Sequence, residues 1–221
     1  MSGMFRELRA DEIEARIQMC RETGISLLLY KDARCDMNIL DETVGQLGWQ
    51  RQHKELKGNI YCGVGIFNAT EDEWAWKWDC GAESNTEKEK GEASDSFKRA
   101  CVNWGIGREL YTSPFIWVDA KDCKTLKQDD RGNWKCYDRF SVRDIGYYDG
   151  AIDYLVIEND RHIIVYQKGD ADPRQRIKKH FREYCAKHGL DEKEVAEKYG
   201  LNKESTVGNF EQILEVLKNE R

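Results

Sequence analysis

Residues 81–111 read GAESNTEKEKGEASDSFKRACVNWGIGRELY. A polar loop rich in Glu and Lys leads into a helix over about 91–104. At 100° per residue, Ala93, Phe97, Ala100, Cys101 and Trp104 fall on one face, and Asp95, Lys98, Arg99 and Val102 on the other. Gly105 stands where a helix takes a C-terminal glycine. The apolar face needs a sheet to cover it, and the residues before the loop supply three strands. Trp49–Lys57 alternates in part, and Ile60–Ala69 is apolar with two glycines. Glu73–Cys80 (EWAWKWDC) places Trp74, Trp76 and Trp78 on one face. Turn signals at Lys57-Gly58-Asn59 and Thr70-Glu71-Asp72 join them into an antiparallel meander. The tryptophan stripe is expected to pack on the 91–104 helix through Phe97 and Trp104. Stacking of bases on an open aromatic platform is the alternative.

On the N-terminal side, residues 9–22 read as a helix. Asp11 is at its start, Ile13, Ile17 and Cys20 recur at helical spacing, and Gly24 ends it. Ile25–Lys31 is an apolar strand. Residues 36–47 form a second helix with Asp36 as its cap and Met37, Leu40, Val44 and Leu47 as its stripe. On the C-terminal side, 112–134 is irregular apart from Phe115–Val118. Residues 139–168 are β-rich, split by hairpin turns at Asp149-Gly150 and Asn159-Asp160. Residues 173–221 are helical in three segments near 174–187, 191–199 and 207–218. The fold class is α+β. An antiparallel β-β-β-α core carries N-terminal helices, an additional β-hairpin region and a helical C-terminal module. The division is 1–170 for the core and 171–221 for the module.

The chain has 221 residues, of which 40% are apolar and 34% charged. Seven tryptophans, ten tyrosines and seven phenylalanines are enough for a core, which excludes full disorder. With 35 Lys and Arg against 41 Asp and Glu the net charge is -6, so a polyanion must meet a local positive surface on an acidic body. No apolar run approaches the ~20 residues of a membrane span, and Met1–Asp11 lacks a signal-peptide core. A cytosolic protein is expected. Eight cysteines at 20, 35, 62, 80, 101, 123, 136 and 185 include no C-x-x-C. They are read as buried or inert thiols, with no metal and no disulfide framework.

No phosphate-loop motif, nucleophile elbow or histidine in a recognisable catalytic context is present. The chain is read as not an enzyme, with no catalytic residue and no cofactor. Nucleic-acid binding has more support. Lys98 and Arg99 share a helix face, Lys88 and Lys90 precede them, and Arg108 follows the glycine turn. Residues 86–109 nevertheless hold five basic and five acidic side chains, so a solvated, salt-bridged helix is the competing reading. A second cluster, Arg174, Arg176, Lys178, Lys179, Arg182 and Lys187, makes a basic amphipathic helix. It suits DNA contact, partner contact or simple solvation.

The run 91–111, GEASDSFKRACVNWGIGRELY, resembles the helix signature of the Rad-fifty-two family. It looks closest to the Sak-type single-strand annealing proteins of phages. Asp41-Glu42-Thr43-Val44-Gly45 followed by Gly48-Trp49, and WDCGA over 78–82, belong to the same resemblance, which covers about residues 5–118. It implies ATP-independent annealing of complementary single strands in homologous recombination, by a phage- or prophage-encoded protein in the cytoplasm of a bacterial host. It implies rings or helical filaments with single-stranded DNA in a groove, and no metal. The family's Lys-Arg pair corresponds to Lys98-Arg99, an earlier lysine to Lys90, and a basic residue before the second helix approximately to Arg34. Where eukaryotic members carry a further arginine, this chain has Val102, and Arg108 is the nearest substitute. Phosphate contacts bind without reading sequence, which leaves base edges free to pair. The module after 170 is expected to recruit a host single-strand binding protein or to gather DNA. A structural adaptor for replication and recombination proteins, or a metal-dependent nuclease, is the alternative function.

Overall fold

The segment expected as a first helix is a strand. In the computed structural model, which describes residues 4–81 and 88–220 and of residues 88–90 the backbone alone, only the 3-10 turn Ala10–Glu12 is helical there. It is followed by β1 (Glu14–Arg21) and β2 (Gly24–Tyr30), an antiparallel hairpin. The register slips between Ile17 and Met19. This bulge shifts the alternation by one residue. Ala15 and Ile17 face Leu29 and Leu27, and Cys20, three residues on, faces Ile25. The spacing 13, 17, 20 that looked helical is thus a bulged strand.

α1 (Ala33–Val44) follows. Its cap is Asp32, whose carboxylate accepts the Cys35 amide at 2.8 Å. Asp36, expected as the cap, is instead buried inside the first turn. β3 (Trp49–Leu56), β4 (Asn59–Asn68) and β5 (Glu73–Cys80) form the expected three-stranded meander. The β3–β4 turn places Lys57 and Gly58 at φ 55° and 79°, the twist that suits a two-residue hairpin. α2 (Lys88–Trp104) packs on β4 and β5. Of the polar loop expected before residue 91, residues 82–87 lie outside the described residues and 88–90 already belong to the helix.

After the 3-10 turn Arg108–Thr112 come β6 (Ile116–Asp119), the two-residue strands β7 (Lys127–Gln128) and β8 (Trp134–Lys135), then β9 (Phe140–Tyr148), β10 (Ala151–Asn159) and β11 (Ile164–Lys168). The larger sheet runs β11-β10-β9-β1-β2-β6. The hairpins of 139–168 therefore join the N-terminal strands directly, through the Glu14–Ser141 and Ala15–Phe140 pairs. One apolar cluster links the two sheets and both helices. Ile25, Ile39, Leu40, Val64, Phe97, Ala100, Cys101, Ile116 and Leu155 are all inaccessible within it.

The chain divides into two units, the first ending at Gln167 and the second beginning at Lys168. The second holds α3 (Pro173–His188), α4 (Glu192–Lys198) and α5 (Val207–Asn219). They pack through Ile177, Phe181, Cys185, Val195, Phe210, Ile213, Leu214 and Leu217. Phe181 and Phe210 meet edge to face at 5.6 Å, a favourable ring geometry. Among the described residues no helix is long and apolar enough to cross a membrane.

Candidate nucleic-acid interface

α2 is held by polar anchors as well as by its apolar face. The indole of Trp104 donates to the Val64 carbonyl at 2.9 Å. The buried carboxylate of Glu92 accepts the Ile60 amide at 2.6 Å. At Gly81 a Cβ would stand 2.1 Å from the Glu92 carbonyl oxygen, so only glycine lets the strand end lie this close to the helix. Fixing Phe97, Ala100 and Cys101 against the sheet turns Lys98, Arg99 and Val102 the other way.

There they line a groove of about 280 Å³ with Asp95 of the same helix, Tyr30 at the end of β2 and Tyr111 after the glycine turn. Tyr111 is 72% exposed and Tyr30 39%. Lys98 makes no ion pair or hydrogen bond with a described residue. Arg99 donates to the Asp79 carboxylate at 3.2 Å, and this bond raises the pKa of the guanidinium further. Asp79 also accepts from the Asn103 side chain at 3.2 Å. A phosphate approaching Arg99 therefore competes with a carboxylate that is 26% exposed, whereas Lys98 is available at once.

Beneath the groove the Lys31 ammonium is ion-paired with Asp36, both side chains almost wholly buried. The Asp36 carboxyl is pushed up to about 6 by burial, against the pull of Lys31 and Lys98. The chain passes over this pair at Gly107, where a Cβ would stand 2.3 Å from the Lys31 Cε.

The other residues expected at the site are placed differently. Arg108 donates to the Val102 carbonyl at 3.0 and 3.2 Å and to the Asn103 carbonyl at 3.0 Å. It caps the C-terminus of α2 where bare carbonyls favour a cation, and its charge lies beside the residue that stands in for the family arginine. Arg34 is in the first turn of α1 rather than before it. It is exposed and paired with Asp32 at 3.1 Å, and it is not among the residues lining the groove. The side chain of Lys90 lies outside the described residues. In the second unit, Arg174 donates to the Lys203 carbonyl and Arg176 to those of Asp170 and Ala171. Arg182 pairs with Glu192 at 3.2 Å and Lys179 with Glu183 at 3.7 Å. Most of that basic cluster is engaged within the module, whereas Lys178 on the same helix makes no ion pair or hydrogen bond with a described residue.

The tryptophan stripe does not pack on α2. Opposite residues of an antiparallel pair share a face, and the register pairs Cys62, Val64 and Ile66 with Asp79, Lys77 and Ala75. Those residues face the helix. Trp78, Trp76 and Trp74 lie opposite Gly63, Gly65 and Phe67 on the outer face. The indoles cover the glycines so closely that a Cβ on Gly63 would be 2.5 Å from the Trp78 ring. Trp76 and Trp78 are stacked at 5.7 Å, and the Lys54 ammonium sits 4.4 Å from the Trp78 ring centre. Alternation reveals two faces but not which one the helix covers.

Sequence reasoning found the Lys98-Arg99 face but missed Tyr30 and Tyr111 at the groove rim and the ion pair under it. No periodic pattern marks these residues, and only the close of the chain through Gly107 brings them together. No curated protein matches the chain. The family model described as the Rad52/22 family double-strand break repair protein matches residues 4–129. The match takes in α1, the β3–β5 meander, α2 and every residue lining the groove, and it spans more than half of the sequence. The chain belongs to the Rad52/22 family.

Proposed function

We propose that the protein binds single-stranded DNA and anneals complementary strands during recombination, as a Sak-type phage or prophage member of its family. The observation that carries this reading is the groove in which Lys98 and Arg99 of one helix face meet the exposed rings of Tyr30 and Tyr111. Cations of this kind grip phosphates of any sequence, and the two rings support the strand at the edge without enclosing its bases. The reaction asks for no bond to be made or broken by the protein. It needs no ATP and no catalytic residue, because pairing itself supplies the free energy.

A single protomer offers few phosphate contacts on an acidic body. Repetition around a ring or filament turns one small ledge into a continuous positive track with gain from avidity. The outer face of the β3–β5 sheet suits contact with a neighbouring copy. By register it presents Gln50, Gln52, Lys54, Tyr61, Phe67 and the three tryptophans, with no acidic side chain among them. The second unit is read as a recruiting module for a host single-strand binding protein in the bacterial cytoplasm.

The test is annealing of two complementary labelled strands, without ATP and without added divalent cation, over a salt series. Wild type is compared with Lys98→Ala/Arg99→Ala, with the assembly followed by sedimentation. Acceleration by wild type is expected, and its loss in the variant with the assembly intact. The salt slope of binding should fall by about 0.7 per lost phosphate contact in each protomer. Acceleration that survives the substitutions would move the DNA site, with 174–187 the next place to look. No acceleration by a folded wild-type assembly would overturn the annealing reading in favour of an adaptor.

A further inference from the structure

We propose that Cys123, Cys136 and Asp138 form a binding site for a thiophilic divalent cation of the zinc class. Cys123 follows the 3-10 turn Ala120–Asp122, Cys136 follows β8, and Asp138 precedes β9. The two Sγ atoms and a carboxylate oxygen all lie within 4.8 Å of one another, a grouping that occurs once among the described residues. The chain between the cysteines is a small excursion whose ladder is two residues per strand. The C-x-x-C spacing by which zinc sites are usually read from sequence is absent because the ligands are gathered from the two ends of this excursion.

The surroundings are those a ligating carboxylate requires. Asp138 accepts the Lys124 amide at 2.6 Å, the Thr125 amide at 3.1 Å and the Thr125 hydroxyl at 2.7 Å. These bonds fix its orientation, fill Oδ1 and leave a lone pair on Oδ2. Thr125 Oγ1 lies 3.7 Å from the Cys136 Sγ and accepts the Tyr137 amide at 2.7 Å. One threonine thus positions both the carboxylate and a thiol. Two sulfurs and one oxygen, with a fourth place left to water, make a tetrahedral set that favours zinc over magnesium or calcium.

The cation displaces one proton from each thiol, two thiolate–metal bonds and one carboxylate–metal bond form, and two protons pass to solvent. Affinity should therefore rise steeply with pH. The site would act as a clasp. Apart from Cys123, Leu126 and Cys136, the excursion has little that packs on the core, and closing it restrains the unfolded chain as a cross-link does. The family match ends at residue 129, between the two cysteines, so the ligand set is not contained in the matched region.

The test is titration of the reduced full-length chain with cobalt(II), followed by zinc(II). One cobalt per chain is expected, with near-ultraviolet thiolate-to-cobalt absorption that zinc displaces and a melting temperature that metal raises. Cys123→Ser and Cys136→Ser should abolish the band, and Cys20→Ser should keep it. Thr125→Ala should weaken binding by about 10- to 100-fold with both thiols present. Absence of the band in a folded chain with all thiols reduced would overturn the site. So would a band that survives Cys123→Ser/Cys136→Ser, or a disulfide between the two cysteines in chain isolated with zinc present. If the serine variants do not fold, the wild-type titration with its thiol count decides alone.

Discussion

Lys31 and Asp36 stand under the groove floor at 7% and 0% exposure. One carboxylate oxygen of Asp36 takes the Lys31 ammonium, and the other has no hydrogen-bond partner. Desolvation outweighs the attraction of Lys31 and Lys98, which is why the Asp36 carboxyl rises to about 6 from a normal value near 4. The folded state therefore holds this proton more tightly than the unfolded chain. Stabilisation by the proton is complete below about pH 4 and is lost as pH rises through about 6. Removing the lysine should sharpen this dependence. Lys31→Met keeps a long side chain against Gly107 but strands a buried carboxylate, a change that costs about 3–5 kcal/mol when the charge is present. Urea unfolding at pH 8 should show a loss of that size. At pH 5, where the orphaned carboxyl is neutral, the loss should be clearly smaller. Equal losses at both pH values would mean that Asp36 is not the group responsible.

The outer face of the small sheet depends on two glycines seated under indoles. Gly63→Ala would press a Cβ into the Trp78 ring at 2.5 Å, and Gly65→Ala into the Trp76 ring at 2.9 Å. Overpacking of this kind costs about 1–3 kcal/mol. The Gly63 change should be the worse of the two, and Trp78→Ala should relieve it. Urea melts of the four corners of the Gly63/Trp78 cycle measure that coupling, and additive losses would refute the contact. The meander itself was legible because its turns and alternation are local signals. So was the apolar stripe of α2, where Phe97, Ala100 and Cys101 are buried as the wheel requires. β1 was not, because a bulge at Gln18 gives its inward residues a spacing of three and imitates a helix. The side of the sheet that the tryptophans occupy is not legible, since period two carries no information about what covers each face. Lys98 and Arg99 were legible as a pair on one face. The Asp79 that restrains Arg99 arrives from β5 through a tertiary contact that leaves no trace in spacing.

At the scale of the whole molecule, charge and architecture divide along the same line. Residues 168–221 carry twelve Lys and Arg against eleven Asp and Glu, so the acidic excess of the chain belongs to residues 1–167. The second unit has its own apolar centre, and capping bonds begin each of its helices at Asp172, Asp191 and Thr206. A chain ending at Gln167 should therefore retain the groove, the β3–β5 sheet and its urea midpoint. Because Arg174, Arg176 and Arg182 are spent on carbonyls and a carboxylate of their own unit, the module should add little to the capture of bare DNA. Its contribution should appear when the strands are already coated. The truncated chain should anneal naked strands at close to the full-length rate, with the same salt dependence. It should lose most of the acceleration on strands covered by the host single-strand binding protein. Equal rates for both chains on coated strands would end the recruiting role. A truncated chain that folds and assembles but cannot anneal naked strands would instead place essential phosphate contacts on α3, with Lys178 the first residue to substitute.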